Sequence, residues 1–217
     1  MNGPLPRVLL VTDAAVSDDL IVDCARRAAA ALPRGAFGVQ LRDKRRPLVS
    51  LRVFAWQLRR LTRAAGAALF VNGNPQLARD VDADGAHLGS GAGDVQCVRA
   101  VLARACWVSV AAHSDGDVRR AVDDGADAVL VSPVFATRSV SAARPGSKAG
   151  RGVAAIRSAC AVAQSRSFVY ALGGVSVDTA PACADAGADG VAIIRGLLAS
   201  AEPGRAARAI HDAFETR

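Results

Sequence analysis

Short apolar runs alternate along this chain with longer stretches in which apolar residues recur every three or four positions. A run of four to six mostly apolar residues is typical of a buried strand, whereas the longer spacing is typical of an amphipathic helix. The alternation repeats through the whole chain and predicts eight strands, each followed by a helix. The predicted strands cover residues 7–12, 37–42, 67–72, 85–88, 107–111, 128–132, 168–172 and 191–194.

Three of these strands begin with nearly the same phrase, in which an Asp is followed by a small residue and an apolar run. The copies occupy residues 84–89, 127–132 and 189–194, and the last two each follow a Gly-Ala pair. A helix that ends at a small residue, then a tight turn and a buried strand, produces this pattern. The repetition indicates a wound β/α fold, in which chemistry takes place where the strands end.

Eight consecutive β/α units predict one (β/α)8 barrel domain over residues 1–217, because eight parallel strands close around an interior that side chains can fill. The competing architecture, a doubly wound open sheet, needs a glycine-rich turn after the first strand. Residues 11–15 contain no glycine, which disfavours it. The longest irregular stretch, residues 136–150, is predicted to be a functional loop because long loops in compact domains usually are.

The composition fits a packed domain and narrows the classes of partner. Apolar residues make up 51% of the chain and charged residues 22%, and no apolar run approaches the roughly 20 residues that span a bilayer. The net charge of +7 comes mostly from arginines expected on outer helix faces, such as Arg59 and Arg60. Aromatic residues, which would stack on nucleic-acid bases, amount to only 4%. We therefore expect neither nucleic acid nor a membrane as partner.

Two further features favour a reducing, cytoplasmic location. The first seven residues lack the basic and then apolar order of a signal peptide. The five cysteines form no Cys-x-x-Cys pair and are expected to be small buried thiols.

Glycine-containing loops follow the last two predicted strands. Gly173 and Gly174 come after the seventh strand, and Ile194, Arg195 and Gly196 come after the eighth. In (β/α)8 barrels these two loops commonly bind a phosphate group, and glycines let backbone N–H groups approach an anion. The sequence therefore predicts a phosphate site between them.

Polar residues also end the second and third strands. Gln40 and Arg42 alternate with apolar neighbours, so both side chains are expected to point toward the barrel mouth. A buried arginine is costly unless it meets an anion, which again favours an anionic ligand. Asn72 ends the third strand and either faces the ligand or caps the following helix.

Three histidines are candidates for proton transfer near neutral pH. His113 follows the fifth strand at the functional rim, where it can contact a ligand. His87 lies inside the fourth strand and is expected to be a hydrogen-bonded core residue. His211 lies on the last helix and is expected to be solvated.

Several of these segments, in this order, resemble the thiamine phosphate synthase/TenI superfamily, and the resemblance runs from the first strand to the last helix. The segments are Val39-Gln40-Leu41-Arg42-Asp43-Lys44, Val71-Asn72, Asp84-Gly85-Ala86-His87-Leu88-Gly89, Ser132-Pro133-Val134-Phe135-Ala136-Thr137, Gly173-Gly174-Val175 and Ala188-Asp189-Gly190-Val191-Ala192.

The resemblance implies a barrel that binds a phosphorylated thiazole or thiamine phosphate. The sequence leaves the oligomeric state open, with a homo-oligomer as one possible assembly. Its substrate-binding residues are carried over to Gln40, Arg42, Lys44, Asn72, Ser132, Thr137, Lys148, Gly173, Gly174, Ile194, Arg195 and Gly196.

Locally the chain looks closer to the TenI-like branch, which aromatises a thiazole phosphate carboxylate tautomer by proton transfer and needs no metal. The features closest to it are residues 71–73, 90–91, 151–153 and 200–203. The branch carries its catalytic histidine immediately before Val-Phe, where this chain has Pro133. His113 is therefore the candidate catalytic residue under this first hypothesis.

The alternative is the synthase, which joins hydroxymethylpyrimidine pyrophosphate to thiazole phosphate and uses Mg²⁺. The resemblance places its two metal carboxylates at Gly73 and Ala92, which offer no side-chain oxygen, so that Asp94 is a weak substitute. The pyrophosphate-binding lysine of the synthases falls on Val140, and Arg138 or Lys148 would have to replace it. Mg²⁺ is expected only under this hypothesis. A non-catalytic relative that kept the phosphate site is the third.

Overall fold

A computed structural model describes residues 5–89, 94–102, 106–139 and 146–215. Eight parallel strands close into a barrel, and helices alternate with them along the chain, which confirms the predicted (β/α)8 fold. The barrel strands are β1 (Val8–Val11), β2 (Phe37–Leu41), β3 (Ala68–Asn72), β4 (Gly85–Leu88), β5 (Trp107–Ala112), β6 (Ala128–Val131), β9 (Phe168–Leu172) and β10 (Gly190–Ile193). Around the barrel they follow the order β1, β10, β9, β6, β5, β4, β3, β2.

The helices cover the outside of the barrel. Within the described residues they are α1 (Asp18–Ala30), α2 (Leu48–Ala65), α3 (Pro75–Asp80), α4 (Val95–Leu102), α5 (Asp115–Asp123), α6 (Ala154–Ala163), α7 (Ala180–Asp185), α8 (Arg195–Leu198) and α9 (Pro203–Asp212). No helix in these ranges is long and apolar enough to cross a membrane.

Two short elements differ from the sequence prediction. The stretch expected to be irregular contains a hairpin, in which β7 (Thr137–Ser139) pairs antiparallel with β8 (Gly146–Lys148). The one-turn helix α8 begins directly after β10, where only a loop was expected. The strands of the hairpin are polar in sequence, and α8 has only four residues, so the hydrophobic pattern gave no signal for either element.

The apolar side chains form two layers because successive residues of a strand point to opposite faces. On β1, Val8 and Leu10 belong to the large core between the barrel and its helices, whereas Leu9 and Val11 belong to the barrel interior. The interior cluster is completed by Phe70, Ala128, Leu130, Tyr170 and Ala192. The filled interior leaves the carboxyl ends of the strands as the place for a ligand.

The repeated Asp-led phrase joins neighbouring strands at their amino ends. Asp84 Oδ2 accepts the N–H of Leu69 at 2.8 Å, and Asp189 Oδ2 accepts the N–H of Val169 at 2.7 Å. In each pair the Asp N–H donates back to the carbonyl oxygen of the same partner, at 2.8 Å in both cases. The phrase is therefore a structural clasp at the end of the barrel opposite the candidate site.

Arg59 was expected on an outer helix face, and that prediction is wrong. Only 7% of the residue is exposed, because it lies one turn from the buried Ala55 and Thr62 on the inward side of α2. Its guanidinium donates to Asp84 Oδ2 at 2.6 Å, so it supports the clasp. An aspartate that precedes β4 thus accounts for a buried charge on α2.

The solvated placement expected for His211 is also wrong. The residue is 5% exposed because it shares the inner face of α9 with Ala207 and Ile210, and its ring lies 3.5 Å from Asp212 and 3.7 Å from Glu215. Among the cysteines, Cys97 is exposed, contrary to expectation. Three others are buried as expected, namely Cys24, Cys106 and Cys183.

Candidate functional site

A cavity of about 420 Å³ lies at the carboxyl ends of β9 and β10. It brings together six of the residues predicted from the sequence to bind substrate. Apolar side chains and backbone form most of the remaining wall. The six residues are Thr137, Gly173, Gly174, Ile194, Arg195 and Gly196.

Three glycines let the backbone form the wall of this cavity. Gly174 has a φ of +66°, and a Cβ there would lie 2.7 Å from the Cβ of Phe135. A Cβ on Gly173 would lie 2.8 Å from the Cα of Pro133, and one on Gly196 would lie 2.6 Å from the carbonyl oxygen of Val175. Because no side chain fits at these positions, backbone amides can approach an anion in the cavity.

The segment after β6 fixes the position of the two glycines after β9. Val134 N–H donates to the carbonyl oxygen of Leu172, and Phe135 N–H donates to that of Gly173, both at 2.9 Å. The strand pairing of β6 with β9 thus continues beyond both strands. As a result the base of the β7–β8 hairpin, including Thr137, forms one edge of the cavity.

Gln40 lies at the mouth of the barrel with a donor that has no partner. The residue is 2% exposed, and its Nε2 has no hydrogen-bond acceptor among the described atoms. Val39 belongs to the outer core, so the alternation along β2 turns Gln40 inward, as predicted. An unpaired buried amide is costly, which is consistent with a ligand atom as its acceptor.

Thr12, which the sequence analysis did not select, holds the backbone of Arg42. Thr12 Oγ1 accepts the N–H of Arg42 at 2.8 Å and donates to its carbonyl oxygen at 3.2 Å. The residue is 2% exposed at the end of the β1 run. A polar residue that ends an otherwise apolar strand at the rim was the signal available for it.

Asn74, and not Asn72, caps the helix after β3. The side chain of Asn74 accepts the N–H of Leu77 at 2.9 Å, so the alternative in which Asn72 is the cap is wrong. Asn72 instead ends β3 in register with His87 of β4. Both positions lie at the carboxyl end of the barrel.

His87 is a core residue, as expected from the sequence. Its Nδ1 lies 2.9 Å from Ser109 Oγ, and burial lowers its pKa to about 3. A smaller part of this lowering of the pKa comes from the positive charges of Arg42 and Lys44. His87 is therefore neutral at physiological pH and unsuited to proton transfer there.

His113 joins the ends of β5 and β6 on the rim. Its Nδ1 lies 2.7 Å from the carbonyl oxygen of Ser132, which can only accept, so Nδ1 carries the hydrogen and Nε2 is the proton acceptor of the neutral ring. The backbone N–H of His113 donates to Asp117 Oδ2 at 2.9 Å. Neither His113 nor Ser132 belongs to the wall of the cavity.

The described residues do not fit a Mg²⁺ ion at the place that the resemblance implies. Gly73 has no side-chain ligand, and Ala92 lies outside the described residues. The carboxylate of Asp94 already accepts the N–H of Gln96 at 2.7 Å. Over the described ranges, no group of three or more His, Cys, Asp or Glu side chains could hold a metal ion. The side chains of Arg138 and Lys148 lie outside the described part of the chain.

Comparison with known proteins agrees with this architecture and with the sequence motifs. The family profile described as Thiamine monophosphate synthase matches residues 8–197. The thiamine-phosphate synthase of Moorella thermoacetica is 36% identical over 183 residues, which cover 84% of each chain. That of Haloarcula marismortui is 35% identical over 209 residues, which cover 96% of each chain.

A solved structure shares the same fold. Thiamine phosphate pyrophosphorylase from Pyrococcus furiosus superposes with a TM-score of 0.80 at 23% sequence identity, over 96% of this chain and 95% of that one. The profile and the two relatives establish more than the fold, since they match most of the chain. The chain belongs to the thiamine monophosphate synthase family.

Proposed function

We propose that the protein is a thiamine-phosphate synthase, which joins hydroxymethylpyrimidine pyrophosphate to thiazole phosphate and releases pyrophosphate. The observation that carries this proposal is the glycine-walled cavity, which contains six of the residues predicted to bind substrate. The names of the relatives favour the synthase over the tautomerase, although the local motifs had favoured the tautomerase. The small-molecule partners are accordingly phosphorylated.

The cavity supports binding of the thiazole phosphate. Backbone amides near Gly173, Gly174 and Gly196 are suited to phosphate oxygens, because these positions admit no side chain. The walls beside them are apolar, with Leu172 and Ile193 among them, and such surfaces suit a small aromatic ring. A ligand with one anionic end and one apolar ring therefore matches the cavity.

The part of the mouth at the end of β2, two strands from β10, supports binding of the second substrate. Arg42 and Lys44 bring two positive charges to the end of β2, where they can stabilise the charge that develops on a departing pyrophosphate. Gln40 offers its unpaired Nε2–H groups nearby. In this arrangement Arg42 and Lys44 provide the positive charge that the reaction needs. No step is assigned to Gly73 or Ala92, which have no carboxylate.

A thiazole tautomerase is the second candidate, and the geometry of His113 favours it. The hydrogen bond from Nδ1 to Ser132 leaves Nε2 as a proton acceptor on the rim. Gly73 in place of a metal carboxylate also suits a proton transfer that needs no metal. The ring does not line the cavity, so this candidate needs a substrate that extends across the rim from the phosphate site.

Product analysis separates the two candidates. The purified chain is incubated with both synthase substrates, with and without Mg²⁺, and thiamine phosphate and pyrophosphate are quantified. Equal amounts of the two products are expected. If no thiamine phosphate forms when the enzyme concentration equals the substrate concentration, the protein is not a synthase. If the chain accelerates aromatisation of the thiazole tautomer and His113→Ala abolishes that activity, the result supports the tautomerase. A parallel thermal-shift titration with thiazole phosphate tests the binding site alone.

A further inference from the structure

The segment between β2 and α2, residues 42–47, carries Arg42 and Lys44 and is held by another arginine. Arg46 donates from Nη2 and Nη1 to the two carboxylate oxygens of Asp18, at 2.7 and 2.8 Å. The bidentate pair connects this segment to the first turn of α1. The two paired residues are 28 positions apart in the sequence, and their contact fixes the C-terminal part of the segment.

The same guanidinium makes two further contacts. Its Nε donates to Asp43 Oδ2 at 3.0 Å, and its carbon atom lies 4.8 Å from the centre of the Phe54 ring on α2. Only 20% of the Arg46 side chain is exposed. One side chain thus joins α1, α2 and the segment itself in a largely desolvated place, where charged hydrogen bonds are strong.

Asp43 stabilises the segment through hydrogen bonds to two of its backbone N–H groups. Its Oδ1 accepts the N–H groups of Arg45 and Arg46 at 3.0 and 3.1 Å, and its side chain is 8% exposed. Burial raises its pKa, but these N–H groups and the Arg46 guanidinium lower it by more, so that the pKa lies below its ordinary value. The charged Asp43 therefore fixes the turn in which Lys44 lies.

We infer that Arg46 is a positioning residue, which orders residues 42–47 so that Arg42 and Lys44 meet the pyrophosphate group of the substrate. The inference rests on the proposed function. Arg46 itself is fully engaged with Asp18, Asp43 and Phe54, so it acts through its neighbours and does not bind the anion. Without it, the segment would have to be ordered when the ligand binds, and the free energy of that ordering would be lost from affinity.

Lysine cannot replace arginine in this role. Three nitrogen atoms of the planar guanidinium donate to two different carboxylates while its carbon atom lies over the ring of Phe54. An ammonium group offers no such planar fork. Arg46→Lys keeps the positive charge but removes the planar fork, so it distinguishes a positioning role from a purely electrostatic one.

The test compares Arg46→Lys and Arg46→Met with Arg52→Met. Arg52 lies on α2 and, like Arg46, pairs with an aspartate, here Asp80 at 2.9 Å, but its side chain is half exposed and makes no hydrogen bond or ion pair with residues 42–47. Arg52→Met therefore reproduces the change in charge of Arg46→Met without disturbing this segment. Calorimetry measures binding of inorganic pyrophosphate and of thiazole phosphate. Asp18→Asn, which weakens the same pair, is the second variant should Arg46→Met fail to fold.

Both Arg46 variants are expected to weaken pyrophosphate binding by about tenfold or more, because the free energy needed to order residues 42–47 on binding would be lost from the affinity. Thiazole phosphate binding should stay within about twofold, because the glycine cavity is separate from this segment. Deuterium exchange at the amides of Arg45 and Arg46 should accelerate, since both donate to Asp43.

Equal pyrophosphate affinities in Arg46→Lys, Arg46→Met and Arg52→Met would overturn the inference, and so would a wild type that binds no pyrophosphate. If the wild type binds pyrophosphate in an Arg46-dependent way but forms no thiamine phosphate, the positioning role stands and the proposed function fails. If thiamine phosphate forms while the Arg46 variants bind and react as Arg52→Met does, the proposed function stands and the positioning role fails.

Discussion

Asp127 and Val108 are joined by two hydrogen bonds that clasp the start of β6 to the start of β5. The carboxylate Oδ2 of Asp127 accepts the N–H of Val108 at 2.6 Å, and the N–H of Asp127 donates to the carbonyl oxygen of Val108 at 2.9 Å. Arg99 completes the arrangement with an ion pair to the same Oδ2 at 2.9 Å. The aspartates of the other two copies of the repeated phrase make the same pair of bonds.

This clasp predicts a specific loss of stability. Asp127→Ala should lower the free energy of unfolding by about 2–3 kcal/mol, because it leaves the buried N–H of Val108 without an acceptor. Asp127→Asn keeps an acceptor and should cost about half as much. Urea unfolding measures both. The control is Asp123→Ala, whose pair with Arg166 is exposed and should contribute less than about 1 kcal/mol. Equal losses at positions 123 and 127 would contradict the clasp.

Burial of His87 predicts a pH dependence of stability. Its pKa is lowered from 6.5 to about 3, so the unfolded chain binds this proton at a higher pH than the folded chain does. The stabilisation is complete above pH 6.5 and decreases as the pH falls toward 3, by up to about 1.4 kcal/mol per pH unit. Urea unfolding from pH 7.5 to 5 should therefore show a steeper decline for the wild type than for His87→Gln. Parallel curves would show that His87 is protonated in the folded state.

The barrel could be predicted from the sequence because each buried strand leaves a local signal. The runs at residues 8–11 and 190–193 are apolar on both faces, as strands covered by helices outside and by side chains inside must be. The hairpin within residues 137–148 left no such signal, since its short strands are polar. The buried arginine at position 59 was missed because its partner, Asp84, is distant in sequence.

The candidate site could be predicted only where the fold dictates its place. The loops after β9 and β10 could be located by counting strands, and the cavity lies between them. Arg46 and Asp18 could not be paired in this way, because nothing local indicates which of many exposed charges meet in space. The predicted role of Gln40 and Asn72 in substrate binding depends on contacts that form only with a bound ligand, so it stays a prediction.

The two hydrogen bonds between the Thr12 hydroxyl group and the backbone of Arg42 predict a role for this hydroxyl group. Thr12→Val keeps the shape of the side chain but leaves the backbone N–H of Arg42 unpaired, which should cost about 1–3 kcal/mol of stability. Pyrophosphate binding should weaken as well, since the end of β2 loses its anchor. Thr12→Ser retains the hydroxyl and should recover most of both losses. A valine variant as stable as the serine variant, and with the same pyrophosphate affinity, would contradict this role of the hydroxyl group.

The glycines in the wall of the cavity predict that a substitution at Gly174 impairs ligand binding in addition to straining the backbone. In Gly174→Ala the new Cβ would lie 2.7 Å from the Cβ of Phe135 and 2.9 Å from the carbonyl oxygen of Ala136, so the loop must move. Gly152→Ala is the matched control, because Gly152 has a similar φ of +72° but no described atom within 4 Å of the new Cβ. Both variants should lose about 1–2 kcal/mol of stability from the left-handed backbone alone. In a thermal-shift titration with thiazole phosphate, only Gly174→Ala should also lose the ligand-induced rise in melting temperature. An equal rise in both variants would mean that the phosphate group binds elsewhere.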